Sequence, residues 1–250
     1  MKKVIAITGA SGKIGFALAQ ILAKKNYNLL LGDINKKKIS ILKNKFSKNI
    51  EYFSEDLTKT KNIEEFISFG KKKFKKIDSI VFCAYPKSKS WGKKFEDLEE
   101  ESLKEDLYNQ IGSTIIFCQK IIKYFIKSNI NGNIILISSI QGISSPKFEH
   151  YNGTQMTSPI EYSAIKSAII AITKYLSKYL RNKKIRINCV SPGGIKNNQP
   201  KKFINAYKKS CNTKGLLDPI DIGNLIAFLL SKKSEYINGQ NIIIDDGWSL

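Results

Sequence analysis

Arginine, histidine and cysteine are scarce in this 250-residue sequence, and long apolar runs are missing. Only Arg181 and Arg186 are arginines among the 42 basic residues, and the single histidine is His150. No apolar stretch approaches the ~20 residues that a membrane-spanning helix needs. The four cysteines form no Cys-x-x-Cys pair, so we expect reduced thiols in a cytoplasm and no metal site.

The net charge of +21 is the strongest compositional feature, and it raises the question of a nucleic-acid or anionic membrane partner. Sites for phosphate backbones usually recruit arginine, because its planar fork binds phosphate bidentately. Here the charge is almost entirely lysine, spread over predicted helix surfaces. We therefore expect non-specific attraction of anions, with no specific nucleic-acid partner and no membrane partner.

Apolar runs of strand length alternate with amphipathic segments of helix length along the whole chain. Strands with apolar residues on both faces, separated by helices, predict an α/β domain with a parallel sheet covered by helices on each side. The opening apolar run is too short for a signal peptide and is interpreted as the first strand. The predicted strands are 3–8, 28–31, 50–53, 79–83, 133–138, 186–191 and 241–245, and the predicted helices are 13–25, 36–46, 60–74, 102–128, 160–181, 200–210 and 219–230.

A glycine-rich turn follows the first predicted strand, with the sequence Thr-Gly-Ala-Ser-Gly-Lys-Ile-Gly at residues 8–15. Glycines allow a tight turn and close backbone approach, and the following helix offers free N–H groups to a pyrophosphate. Asp33 ends the second strand, where a carboxylate can accept both adenosine ribose hydroxyls and repel a 2′-phosphate. This favours NAD, although the lysines at 36–38 leave NADP open. Asp56, before Leu57, either meets the adenine amino group or caps a helix.

Tyr162 and Lys166 are four residues apart in a predicted helix, so they lie on the same face. A nearby ammonium stabilises a phenolate and is expected to lower the pKa of Tyr162 from about 10. The phenol then becomes a usable proton donor or acceptor near neutral pH. Ser139, at the end of the fifth predicted strand, can hold a substrate oxygen against Tyr162.

Six motifs, in this order and spacing, resemble the short-chain dehydrogenase/reductase family over essentially the whole chain. They are the glycine turn at 8–15, Asn-Gln-Ile-Gly at 109–112, Ile-Ser-Ser at 137–139, Tyr162 with Lys166, Ser-Pro-Gly at 191–193, and the closing Ile-Asn-Gly-Gln and Asp-Asp-Gly at 237–247. The resemblance implies a Rossmann fold with a seven-stranded parallel sheet that binds NAD(P). It also implies hydride transfer between the nicotinamide and a carbonyl or alcohol carbon.

The resemblance assigns roles to individual residues. Tyr162 would exchange the proton, Lys166 would lower its pKa and bind the nicotinamide ribose, Ser139 would hold the substrate oxygen, and Asn109 would position a relay water. The implied cofactor-binding residues are Gly9, Ser11, Gly12, Lys13, Ile14, Gly15, Asp33, Asp56, Leu57, Cys83, Ala84, Tyr162, Lys166, Pro192, Gly193 and Ile195.

Three departures from the family pattern affect the site. Lys13 stands where the shorter family members carry a glycine, and the glycine spacing instead matches the extended members. The usual Asn-Asn-Ala-Gly after the fourth strand is Phe-Cys-Ala-Tyr at 82–85, so Tyr85 is expected to reshape the substrate entrance. Ser139 and Tyr162 are 23 positions apart, about ten more than is common.

The additional residues, within 141–159, are polar and aromatic and suit a hydroxyl-rich substrate better than a fatty acyl or steroid one. We expect this loop and a flap at 194–216 to form the substrate site, with Gln141, Tyr85 and His150 as candidate contacts. His150 is alternatively a surface-loop histidine, the interpretation we favour from sequence. A looser resemblance, to the surface-sugar and flagellin-modification oxidoreductases associated with legionaminic acid-type pathways, implies a sugar substrate.

Two other functions remain open from the sequence: a 3-oxoacyl or general carbonyl reductase using NADPH, and a dinucleotide-binding regulator without catalysis. The complete set of four catalytic-type residues argues against the regulator. The predicted helices 102–128 and 160–181 carry apolar residues beyond one core-facing stripe. In the family the equivalent helices form a subunit interface, so we expect a homo-oligomer, either a dimer or a tetramer.

Overall fold

The computed structural model describes residues 2–46 and 49–250, which form an α/β domain. Its strands are β1 (Val4–Thr8), β2 (Asn28–Gly32), β3 (Ile50–Phe53), β4 (Ser79–Phe82), β5 (Asn133–Ile137), β6 (Arg186–Pro192) and β7 (Asn241–Ile244). Its helices are α1 (Lys13–Lys24), α2 (Lys36–Lys45), α3 (Thr60–Phe74), α4 (Glu100–Leu107), α5 (Ser113–Lys127), α6 (Ile160–Tyr179), α7 (Lys201–Lys209) and α8 (Pro219–Leu230).

The strands form one parallel sheet in the order β3-β2-β1-β4-β5-β6-β7. Alternation along β1 explains the two layers, because successive side chains point to opposite faces. Ala6 packs with residues of α3, α5 and α6, whereas Ile5 and Ile7 pack with residues of α1, α2 and α8. The predicted seven-stranded Rossmann fold with helices on both faces is therefore confirmed.

The predicted helix 102–128 is divided, which sequence periodicity did not indicate. A π-helical turn, Tyr108–Gly112, separates α4 from α5. Two hydroxyls cap carbonyls at this turn: Ser113 Oγ donates to Asn109 O, and Thr114 Oγ1 donates to Gln110 O at 2.6 Å. Side chains that bond to carbonyls one turn back relax the regular ladder, and π turns are frequent at functional positions.

A third cluster of buried side chains closes one end of the sheet's carboxyl edge. Phe203 and Tyr207 of α7 pack there with Ile140, Leu216 and Trp248. Helix α7 also contacts the short helical turn Phe148–Tyr151 of the inserted loop. The loop, the segment after β6 and the end of the chain thus form one packed unit.

Among the described residues, no helix has both the length and the apolar character needed to cross a membrane. The four cysteines are free thiols, with no disulfide between them.

Candidate active site

A cleft of about 550 Å³ lies at the carboxyl ends of β1, β4, β5 and β6. The strand order reverses between β1 and β4, the position at which Rossmann sheets bind ligands. Fifteen of the residues predicted from sequence line this cleft: Gly12, Lys13, Ile14, Gly15, Cys83, Ala84, Tyr85, Ser139, Gln141, His150, Tyr162, Lys166, Pro192, Gly193 and Ile195. Six predicted residues do not line it: Gly9, Ser11, Asp33, Asp56, Leu57 and Asn109.

The glycine turn is a close backbone fit that side chains would disrupt. Gly9 has φ +62°, and a Cβ there would lie 2.5 Å from Cys83 O. A Cβ on Gly15 would collide with Gly9 O. The turn therefore leaves room at the start of α1 for a group that approaches the backbone, as a pyrophosphate does.

Lys13 ties the glycine turn to the segment after β6. Its ammonium donates to Lys196 O at 2.6 Å, across the mouth of the cleft. The lysine that departs from the shorter family members is thus a contact between the two walls of the site.

Asp33 is fixed beside the glycine turn. One carboxylate oxygen accepts Ser11 N–H at 2.8 Å, and the other accepts Asn35 N–H at 2.9 Å. Both contacts hold the carboxylate at the end of β2, where we predicted an acceptor for ribose hydroxyls. The lysines at 36–38, which left NADP open, are exposed at the start of α2.

Asp56 binds within the turn that precedes α3 and does not cap the helix, because the N-cap residue is Lys59 and no side chain caps it. Its Oδ1 accepts both Thr58 N–H at 2.9 Å and Thr58 Oγ1–H at 2.8 Å, shortly before α3. Leu57 is buried, and its side chain lies where a Cβ on Gly32 would be. The adenine contact predicted for Asp56 stays a prediction.

Ser139, Tyr162 and Lys166 meet in the cleft. The ammonium of Lys166 donates to Ile137 O at 3.1 Å and lies 5.5 Å from the centre of the Tyr162 ring. Helix α6 is pinned to the end of β5 because Ser138 Oγ donates to Lys166 O at 2.7 Å. Ser139 Oγ accepts Gln141 N–H at 3.2 Å, which fixes the hydroxyl at the start of the inserted loop.

Burial shifts the pKa values of Lys166 and Tyr162 in opposite directions. It lowers the pKa of Lys166 to about 8. It also raises the pKa of Tyr162, while a hydrogen bond with Ser139 acts in the opposite direction. The predicted lowering of the Tyr162 pKa by Lys166 is therefore wrong for this structure. Desolvation of the phenolate is the largest cause of this rise in pKa, and the ammonium of Lys166 donates to Ile137 O instead of to the phenol.

The pKa of Lys166 predicts a pH dependence. Its ammonium is charged below about pH 8 and neutral above it, so the stabilisation of a developing phenolate should fade as pH rises. We expect kcat/KM for NADH, which reports groups of the free enzyme, to fall on the alkaline side with an apparent pKa near 8. Lys166→Arg should shift this alkaline fall in kcat/KM to higher pH, because guanidinium stays charged. A profile that is flat through pH 10, or the same limb in Lys166→Arg, would contradict the assignment.

Asn109 lies in the π-helical turn, and α6 contacts this turn. The turn displaces the helix locally at the residue to which the family resemblance gives a water-positioning role. Because its side chain does not line the cleft, that role stays a prediction.

His150 is buried, with 4% of its surface exposed, so the surface-loop interpretation is wrong. The rings of Phe203, Tyr207 and Trp248 surround it, and its Nε2 lies 3.0 Å from Ser210 Oγ. Burial lowers its pKa, so the ring favours its neutral form. The burial depends on α7 and the chain end, which are distant in sequence.

The inserted loop is held by its own polar contacts. Gln141 Nε2 donates to the Tyr151 phenol at 3.2 Å, and Gln141 Oε1 accepts Ser158 Oγ–H at 2.8 Å. Gln141 thus lines the cleft with both ends of its amide already bonded, so its first role in this structure is to shape the loop.

Aromatic rings gather around the reacting tyrosine. Tyr85 and Trp91 lie 5.8 and 6.3 Å from Tyr162 between ring centres, and the ammonium of Lys166 lies 5.1 Å from the Tyr85 ring. Sequence reasoning identified Tyr85 but missed Trp91. Trp91 does not line the cleft, but several residues that the sequence did not indicate do, among them Lys87, Tyr151, Met156, Asn197, Gln199, Phe203, Tyr207 and Trp248. The sequence offered one signal for Trp91 and Trp248, which is that they are the only two tryptophans of the chain.

A Rossmann sheet whose carboxyl edge holds a glycine turn and a Tyr-x-x-x-Lys pair defines a class of dehydrogenases and reductases. The chain belongs to the short-chain dehydrogenase/reductase family, and the matching family model, described as enoyl-(acyl carrier protein) reductase, covers residues 9–249.

Three relatives illustrate the range of this family. The chain is 39% identical over 253 residues to the post-translational flagellin modification protein A of Campylobacter coli, covering 99% of this chain and 98% of that protein. It is 30% identical to a 3-oxoacyl-[acyl-carrier-protein] reductase of Rickettsia felis, covering 98% and 96%. A short-chain dehydrogenase of Leptospira borgpetersenii, crystallised with bound NAD+, superposes with a TM-score of 0.88 at 29% identity, covering 100% of this chain and 94% of that one.

Proposed function

We propose that this oxidoreductase transfers a hydride between NAD and a carbonyl or alcohol carbon of a polar, sugar-type substrate. The observation that carries the proposal is the meeting of Ser139, Tyr162 and Lys166 in the cleft that the glycine turn borders. The turn suits a dinucleotide because Gly9 and Gly15 leave no space for side chains and keep the backbone accessible. The bound nicotinamide would supply the hydride chemistry.

The protein's own residues would handle the proton and the orientation. Tyr162 keeps its proton at neutral pH because burial raises its pKa, so it is ready to donate to a carbonyl oxygen. Ser139 would donate a second hydrogen bond to the same oxygen, as oxyanion donors do. Lys166 would stabilise the phenolate left on Tyr162. In the oxidative direction the phenolate would take the alcohol proton.

Asp33 supports NAD over NADP in this proposal. A 2′-phosphate would meet a carboxylate held by Ser11 and Asn35 N–H groups, so we expect NADH to bind at least about tenfold more tightly than NADPH. Asp33→Asn should reduce this preference, because it removes the negative charge and keeps the size. Titration of nicotinamide fluorescence measures both affinities. Equal binding of NADH and NADPH by the unaltered protein would contradict the argument.

The sugar-type substrate is supported by the polar loop at 141–159, which we propose forms the substrate site with the flap at 194–216. The flagellin modification relative from Campylobacter coli is consistent with this class. A 3-oxoacyl or general carbonyl reductase is the second candidate, favoured by the Rickettsia felis relative and by Ile140, Met156 and Phe203 in the lining. A regulator without catalysis would not need Ser139, Tyr162 and Lys166 together, so we do not favour that alternative.

A substrate screen separates these candidates. Phosphorylated and nucleotide-linked sugars, uronic acids, neutral sugars and an acetoacetyl thioester would each be incubated with NAD or NADH. We expect turnover among the sugar derivatives. Efficient turnover of the thioester with NADPH, and of no sugar, would favour the second candidate.

We also propose a homo-oligomer formed through α5 and α6. Ile115, Ile126, Tyr175 and Tyr179 are 48%, 48%, 68% and 69% exposed on this face, and the two tyrosine rings stack at 6.1 Å. Together with Ile122, Ile172 and Leu176 they line an apolar groove. An exposed apolar surface of this kind usually marks an interaction site.

Tyr175→Asp tests the interface, because it places a charge in the middle of the groove. We expect the mass measured by light scattering to fall from an oligomer to a monomer. Tyr236→Asp is the control, since Tyr236 is 95% exposed and does not line the groove, and it should leave the mass unchanged. A monomeric mass for the unaltered protein would contradict the interface.

The cytoplasm remains the proposed location, supported by four free thiols. The absence of a specific nucleic-acid partner also remains a prediction, supported by the dominance of lysine over arginine in the chain's charge. Tight, sequence-selective DNA binding at physiological salt would contradict it.

A further inference from the structure

The cleft carries positive charge without any carboxylate in its lining. Lys13, Lys87 and Lys166 line it, and the described lining contains no aspartate or glutamate. Lys13 donates to Lys196 O and Lys166 donates to Ile137 O. Lys87 differs, because its ammonium has neither a hydrogen bond nor an ion pair with any residue in 2–46 and 49–250. It therefore has donors free for a ligand.

The loop that carries Lys87 is fixed rather than loosely placed. Ser88 donates to the buried carboxylate of Asp106 twice, from its N–H at 2.7 Å and from its hydroxyl at 2.6 Å. Further along the loop, Gly92 O accepts the hydroxyl of Thr157 in the inserted loop. These contacts fix Ser88, the residue directly after Lys87, and the loop from Ser88 to Gly92.

Two aromatic rings hold the Lys87 ammonium on the Tyr162 side of the cleft. It lies 4.8 Å from the centre of the Tyr85 ring and 5.8 Å from that of Trp91. The same two rings lie 5.8 and 6.3 Å from Tyr162. Ring faces attract a cation but leave its N–H donors unused. Tyr162 and this ammonium lie beside the same pair of rings, so a substrate held at Tyr162 would be near the ammonium.

The acidic groups nearby do not neutralise Lys87 within the cleft. Asp106 interacts with it, but both oxygens of this carboxylate are bonded to Ser88, and Asp106 does not line the cleft. Glu161 is buried in the first turn of α6 and likewise is not part of the lining. Partial burial lowers the pKa of Lys87 in spite of Asp106, as expected for an ammonium without a bound anion.

We propose that Lys87 binds an anionic substituent, a carboxylate or a phosphate, of the substrate whose reacting carbon lies against Tyr162. The inference rests on the proposed function and narrows its substrate class to acidic or phosphorylated sugar derivatives. Each of the three lysines would then have a different place in the cleft. Lys13 lies at the glycine turn, Lys166 would lie at the reacting oxygen, and Lys87 would bind the charged group of the substrate.

The test measures binding of defined probes to the protein saturated with NAD, by isothermal calorimetry. D-glucuronate, D-glucose 6-phosphate and neutral D-glucose would be titrated in parallel. We expect at least one anionic probe to bind about tenfold more tightly than glucose, the effect of one charged hydrogen bond. The stronger of the two anions identifies carboxylate or phosphate.

Variants test whether Lys87 causes the preference for anionic probes over glucose. Lys87→Met should abolish it, and Lys87→Arg, which keeps the charge, should retain much of it. Lys89→Met is the matched control, because Lys89 is exposed two residues further along the same loop and does not line the cleft. It should bind like the unaltered protein. Far-ultraviolet circular dichroism checks that each variant is folded.

Three results would overturn the inference: equal binding of all three probes, no binding of either anion, or an anion preference that survives in Lys87→Met. These results are distinguishable from failure of the proposed function. If Lys87→Met behaves as expected but no sugar is turned over, the sugar oxidoreductase proposal fails and the anion site stands. If an anionic sugar is turned over equally by Lys87→Met and the unaltered protein, the anion site fails and the oxidoreductase stands.

Discussion

Tyr162→Phe is expected to lower kcat by about 10³-fold, because it removes one hydroxyl and with it the group that exchanges the proton. The ring should keep its packing against Tyr85 and Trp91, whose centres lie 5.8 and 6.3 Å away. Affinity for NADH and the melting temperature should therefore change little. Initial rates of nicotinamide oxidation on the substrate identified by screening measure the effect.

Tyr236→Phe is the control for this experiment, since it removes the same hydroxyl from a tyrosine that is 95% exposed. Its kcat should equal that of the unaltered protein. If Tyr162→Phe retained even a tenth of the activity, another group would have to supply the proton, and the assignment would fail.

Gly9→Ala is expected to weaken NADH binding by more than about 100-fold and to lower the free energy of unfolding by about 2–4 kcal/mol. The residue has φ +62°, and an added Cβ would lie 2.5 Å from Cys83 O and 2.7 Å from Ala84 N. Both neighbours are backbone atoms at the end of β4, so they cannot yield as a flexible side chain does. The turn would have to move away from the start of α1, where we propose that the pyrophosphate binds. Fluorescence titration and urea unfolding measure the two effects.

Gly92→Ala is the control that distinguishes the effect of the Cβ collision at Gly9 from the effect of a positive φ. Gly92 also has positive φ, at +91°, but the nearest atom to an added Cβ is 3.6 Å away. It should therefore show only the strain of positive φ and keep its affinity for NADH. Equal losses of affinity in both variants would mean that the close fit at Gly9 is not what matters.

The sheet and the nucleotide end of the site were predictable because their signals are local. Apolar runs such as 4–8 and 133–137 indicate buried parallel strands. A glycine-rich turn directly after a strand indicates a tight turn that lets a ligand approach the backbone. The pairing of Tyr162 with Lys166 follows from helical periodicity alone. These features need no knowledge of what packs against them.

The remaining features depend on contacts between distant segments. His150 is buried because α7 and Trp248, more than 40 positions along the chain, pack around it. The pKa of Tyr162 is raised by burial, which sequence spacing does not report. The loop next to Lys87 is held through Ser88, which donates to Asp106 of α4. Long-range packing of this kind overrides local expectation most often in loops, where substrate sites are built.

Transfer of deuterium from reduced nicotinamide deuterated at C4 to the product is the most direct test of the central claim. The protein would be incubated with the labelled cofactor and the panel of sugar derivatives, and the products analysed by mass spectrometry. We predict one deuterium on the carbon that becomes the alcohol, and its loss in Tyr162→Phe. Absence of label from every product, or equal labelling by Tyr162→Phe, would contradict hydride transfer at this site.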